Sequence, residues 1–146
     1  MKKIFSIAII LFLATTTHAQ TENPLKQGMS NTVTLSNGEV IYDLSGEWDA
    51  IYEREGFDTQ KDIVKITQQG NKFVGIKLIG NEYVGKGDET IKGELEKDGF
   101  KSLQVKTGYG WIDSKGKISE KGNKIEIDAT MPTVQRNKLY VTLTRK

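Results

Sequence analysis

From Leu44 to the C-terminus, apolar and polar residues alternate with a period of two, and glycine-containing turns interrupt the alternation about every ten residues. Each strand in such a chain has one face to bury and one to leave in water, which points to antiparallel sheet. The pattern predicts strands over Gly46–Arg54, Lys61–Gln68, Lys72–Ile79, Glu89–Leu95, Phe100–Lys106, Gly110–Glu120 with a break near Gly116, Asn123–Thr130 and Lys138–Arg145. Val64 and Ile66, then Val74, Ile76 and Leu78, then Ile91 and Leu95 share the predicted inner face, and Ile125, Ile127 and Ala129 repeat it. Lys65, Thr67, Lys77, Lys92, Glu94, Lys124, Glu126 and Asp128 fall on the wet side. The turns Gln69-Gly70-Asn71, Lys97-Asp98-Gly99 and Lys121-Gly122-Asn123 are short, so consecutive strands pair as a meander. About eight such strands close into an up-and-down barrel that removes the exposed edges, with an open β-sandwich as the competing arrangement.

Ahead of this region, Thr32–Leu35, Ser36-Asn37-Gly38-Glu39 and Val40–Tyr42 read as a hairpin spanning 32–43, with Asn37-Gly38 as a type I′ turn. Residues 20–31 are polar and aperiodic, a flexible leader. Residues 1–19 have a basic start, an apolar run from Ile4 to Ala14 and the small-residue ending Thr17-His18-Ala19, the layout of a secretory signal peptide. The run is far shorter than the roughly 20 residues of a membrane-spanning helix. The expected mature protein is therefore free in the periplasm or outside the cell.

Composition matters once this segment is set aside. Removing residues 1–19 leaves 127 residues and takes Lys2 and Lys3 with it, so the precursor's net charge of +2 becomes 19 basic against 19 acidic side chains. A neutral domain without a basic stripe is a poor match for nucleic acid. The one histidine, His18, also leaves, and there is no cysteine. Structural zinc, haem on histidine, thiol nucleophiles, Ser-His-Asp triads and disulfides each lose a required part. No cofactor, metal site or catalytic residue is assigned, although Asp, Glu, Tyr and Lys chemistry stays open.

Leu44-Ser45-Gly46-Glu47-Trp48 opens the first long strand and Leu139–Arg145 forms the last. An indole needs cover and a partner for its N–H, and a guanidinium stacks well on its face. Arg145 has the parity of Leu139, Val141 and Leu143. Gly-x-Trp on the first strand with a basic residue late on the last resembles the calycin superfamily of lipocalins, avidins and fatty-acid-binding proteins. That resemblance implies a ligand-holding barrel whose closed end is built by Gly46, Trp48 and Arg145. Gln68-Gln69-Gly70-Asn71-Lys72-Phe73-Val74-Gly75 is similar to a hairpin of uncharacterised exported bacterial domains, for which no activity is implied. The Trp-rich floor of a biotin site is absent, Trp111 being the only other Trp.

Four aromatic residues are the candidate ligand contacts: Tyr52, Tyr83 in the long loop 80–88, and Tyr109 and Trp111 in the glycine-rich stretch 107–111. The acidic stretch from Asp43 to Asp58 lacks calcium-loop spacing, and Glu47, Asp49 and Glu53 alternate with Trp48, Ala50 and Tyr52 as an outer face would. The loop Met131–Asn137 adds Arg136 as a candidate anion contact. These features give an exported, non-enzymatic protein gripping a small apolar or amphipathic ligand. The alternative is a solid barrel that contacts another exported protein through its hairpin and loops.

Overall fold

Among the described residues, the alternating pattern gives eleven strands. In the computed structural model, which describes residues 31–130 and 137–146, β1 (Thr32–Thr34) and β2 (Val40–Tyr42) form a small two-stranded sheet. The others are β3 (Gly46–Arg54), β4 (Gln60–Gln69), β5 (Lys72–Lys77), β6 (Glu89–Glu96), β7 (Gly99–Thr107), β8 (Gly110–Asp113), β9 (Lys115–Ser119), β10 (Lys124–Thr130) and β11 (Lys138–Arg145). They make one antiparallel sheet in the order β8-β7-β6-β5-β4-β3-β11-β10-β9. β11 returns to pair with β3, from Leu139 opposite Arg54 to Arg145 opposite Trp48. The two edges, β8 and β9, are consecutive in sequence: β8 pairs with β7 and β9 with β10. One strand therefore changes partner midway and leaves the sheet a nearly closed barrel. The change comes at Ser114, whose N–H donates to the Leu103 carbonyl at 2.9 Å, two residues before the predicted break at Gly116. Gly116 lies where a β-carbon would meet Leu103 and Phe100 side chains at 2.6 and 2.9 Å, so β9 crosses β7 closely.

Trp48, Ala50, Val64, Ile66, Ile91, Leu95, Val105, Ile125, Ile127, Val141 and Leu143 fill the interior, as the alternation predicts for β3, β4, β6, β10 and β11. β5 is a correction. Its inward residues are Phe73, Gly75 and Lys77, whereas Val74 and Ile76 are half-buried on the other side. Phe73 packs against Phe100 with ring centroids 5.6 Å apart. Gly75 occupies a place where a β-carbon would sit 2.6 Å from Ile91 and 2.8 Å from Val64. Lys77 enters the interior because Asp62 is buried there to meet it, a pairing that local periodicity does not register. A bulge between β5 and β6 skips from Gly75 opposite Ile91 to Ile76 opposite Glu89, so Thr90 turns inward beside Ile91 and both are buried.

The hairpin also differs from the predicted type I′ turn. Gly38 has φ +85° while Asn37 is not left-handed, and Gly38 donates to the Leu35 carbonyl at 2.9 Å. This is the three-residue pattern of a β-turn followed by a left-handed glycine. Ile41 and the following Leu44 are buried in the barrel's core. Gln68 fixes them by donating to the Tyr42 carbonyl at 3.0 Å and accepting from the Leu44 N–H at 2.8 Å. The proposed signal segment, most of the leader, and the loop residues 131–136 lie outside the described residues.

Candidate functional site: a cup at one end of the barrel

The barrel ends are unlike. At the first, Trp48 is fully buried and donates its indole N–H to the Leu44 carbonyl at 2.9 Å. The Arg145 guanidinium lies 4.4 Å over its ring and donates to the carbonyls of Ser45 (2.7 Å), Asp43 (2.6 Å) and Gly122 (3.3 Å). Gly46, at φ +126°, keeps a β-carbon from pressing on Arg145, which it would approach at 3.3 Å. Burial pushes the Arg145 pKa down, and the nearby Asp43 charge opposes this. The β9–β10 turn at the same end takes left-handed backbone at Glu120, Lys121 and Gly122, held by Asn31 donating to the Lys121 carbonyl and Arg145 to that of Gly122. With the hairpin laid over it, this end is shut.

The opposite end holds a cavity of about 400 Å³. Three connections surround it: the β3–β4 loop with Phe57 and Asp58, the β5–β6 loop with Asn81, Tyr83 and Val84, and the β7–β8 turn with Gly108 and Tyr109. Strand ends supply Tyr52 and Arg54 from β3, Gln60 from β4, Lys77 from β5, Lys106 and Thr107 from β7 and Leu139 from β11.

The floor is polar and buried. Asp62 accepts the N–H groups of Ile63 (2.7 Å) and Ile79 (3.1 Å) on one oxygen and of Gly80 (3.0 Å) on the other. Lys77 Nζ stands 3.5 Å from that second oxygen, with both side chains 3% exposed, and lies 4.2 Å over the Tyr52 ring. Burial lowers the Lys77 pKa, with Asp62 acting against it. The buried Tyr52 shares a 3.3 Å hydrogen bond with the Thr90 hydroxyl, and desolvation pushes its pKa up to about 12.

The rim is aromatic and exposed. Tyr83 and Tyr109 are 54% and 71% exposed, and Gly108 leaves room for the Tyr83 ring, which a β-carbon there would approach at 3.0 Å. The long loop is held by its own hydrogen bonds. Asn81 Oδ1 accepts from Tyr83 and Val84 at 2.9 Å each, Asn81 Nδ2 donates to Gln60 at 2.6 Å, and Asp88 accepts from Gly85 at 3.1 Å. Gly80, at φ +84°, stands where a β-carbon would collide with the Lys86 backbone, so this turn admits only glycine. On the wall, the Arg54 guanidinium lies 4.1 Å over Phe57, and its buried Nε has no hydrogen-bond partner.

Of the four aromatic candidates, Tyr52, Tyr83 and Tyr109 line the cup and Trp111 does not. Ile112 takes the inward place opposite Val105, so Trp111 lies on the outer face, half-buried, with the Lys92 ammonium 4.2 Å over its ring. Glu47, Asp49 and Glu53 are exposed on the outer face of β3. Periodicity missed Arg54, Phe57, Lys77 and Leu139. Only the combination of β5 parity and the Asp62 pairing reveals that Lys77 belongs to the interior.

No family model and no curated protein sequence matches the chain. Among solved structures, a redesigned β-barrel is similar over 70% of this chain and 91% of its own, at 15% identity and a TM-score of 0.47. The barrel assignment rests on the strand pairing itself. Among the described residues, no helix is long and apolar enough to cross a membrane.

Proposed function

We propose that this chain is an exported, calycin-like binding protein that holds one small amphipathic molecule in the cup. The observation that carries the reading is a cavity of about 400 Å³ walled by Tyr52, Phe57, Val84 and Leu139 and open at the tyrosine rim. A flat or chain-like apolar body suits those walls, and Arg54, Lys77 and Lys106 outnumber Asp58 on the lining, which favours an acidic end on the ligand. The nine-strand antiparallel meander and the Arg145–Trp48 stack support the calycin-like assignment, and residues 1–19 support export.

Organic extraction of the purified protein, with mass spectrometry of the extract, tests for a resident ligand. Titration of the stripped protein with 2-naphthoate and medium-chain fatty acids then tests the site. The reading expects one saturable site, weakened about tenfold by Arg54→Gln, equivalent to about 1.4 kcal/mol. An empty extract together with no saturable binding overturns it.

A second reading has its own observation. Phe57, Ile79, Tyr83 and Tyr109 are all more than half exposed on the connections at this end, as a protein-contacting rim would be. Capture of an exported protein that survives Leu139→Trp, a substitution that fills the cup, favours this reading.

A further inference from the structure

We propose that Lys77 captures an aldehyde-bearing ligand on the cavity floor as a reversible imine. This rests on the cup being a ligand site and adds covalent chemistry to it.

Among the described residues, Lys77 is the one lysine buried in the protein interior, and it also lines the cavity. The Lys77 residue thus borders a molecule seated there, and its side chain, 3% exposed, is shielded from bulk water. The contact to Asp62 is long at 3.5 Å, and the other side of the amine faces the Tyr52 ring. Asp62 does not depend on that contact, because three backbone N–H groups already satisfy its oxygens. The amine can therefore enter a reaction without leaving a bare buried carboxylate. Burial also lowers the Lys77 pKa, which enlarges the fraction present as nucleophilic free amine.

Overall, the Lys77 ammonium and an aldehyde give a protonated imine and one water. The carbonyl C=O bond breaks and a C=N bond forms, and the oxygen leaves with two of the three ammonium protons. The single positive charge stays on nitrogen beside Asp62, which serves as its fixed counterion. Neither oxidant nor reductant is needed, and hydrolysis returns both partners.

The probes are 2-naphthaldehyde and, as a shape-matched molecule unable to form an imine, 2-naphthalenemethanol. The full protein is incubated with the aldehyde, trapped with cyanoborohydride and digested for peptide mass spectrometry. The alcohol is titrated by intrinsic fluorescence. The proposal expects a reduced adduct at Lys77 at least about tenfold more abundant than at any exposed lysine. It also expects loss of that adduct in Lys77→Arg, which keeps the positive charge. Adducts spread over surface lysines while the alcohol still binds overturn the covalent proposal and leave the cup reading standing. Failure of both probes to bind also overturns the covalent proposal, and the cup reading then stands or falls on the 2-naphthoate titration. Because the adduct's position is read on the unmodified sequence, the outcome does not depend on how well any variant folds.

Discussion

Asp62 and Lys77 form a buried pair whose members are unequally dependent on each other. Asp62 gathers the N–H groups of Ile79 and Gly80 at the start of the β5–β6 loop and that of Ile63 beside it in β4, whereas the Lys77 ammonium has that carboxylate as its charged partner. Asp62→Ala strips the loop of its acceptor and strands a buried cation, a loss of about 3–5 kcal/mol. Lys77→Met leaves Asp62 satisfied and supplies similar volume, so its cost is expected to be about 1 kcal/mol, with urea denaturation of both variants as the check. Tyr52 adds a pH signature at this scale. Its pKa is raised from 10.0 to about 12, so over that interval the unfolded chain has released a proton that the folded chain keeps. Stability should accordingly hold steady below about pH 9 from this group and fall by about 1.4 kcal/mol per unit between about pH 10 and 12. Lys77, shifted downward, acts in the opposite sense in both proteins, so comparing urea midpoints of the parent and Tyr52→Phe isolates the tyrosine.

Among the elements, β5 shows what alternation can and cannot determine. Val74, Ile76 and Leu78 form the more apolar set in sequence, yet Phe73, Gly75 and Lys77 face inward. The choice depends on partners distant in sequence: Phe100 for Phe73, the Ile91 and Val64 side chains crowding Gly75, and Asp62 for Lys77. β10 was legible because its apolar residues share one parity, and β3, β4 and β11 because the inward set outnumbers the single opposed Ile51, Ile63 and Tyr140. Tyr83 and Tyr109 were legible as aromatic residues in the predicted open connections, and Tyr52 by its inward parity on β3. Trp111 was not, because its face is set by the β7–β8 register and Lys92 covers it outside. Gly75→Ala tests the β5 assignment. The added methyl would sit 2.6 Å from Ile91 Cγ1, an overpacking that should cost about 1–3 kcal/mol with an unchanged urea m-value.

For the molecule as a whole, the two ends divide the work. The Trp48–Arg145 stack and the overlying hairpin shut one end, and rim loops fixed by Asp62, Asn81 and Asp88 shape the other. Binding should therefore involve one end alone. The most direct measurement is a ¹H–¹⁵N correlation spectrum of residues 20–146 titrated with 2-naphthoate. The account predicts saturable shifts at Tyr52, Arg54, Lys77, Asn81–Val84 and Lys106–Tyr109, with Trp48, Gly122 and Arg145 unmoved. Shifts centred on the Trp48 end or on the outer face of β9–β11, or no saturable shift at all, would contradict it.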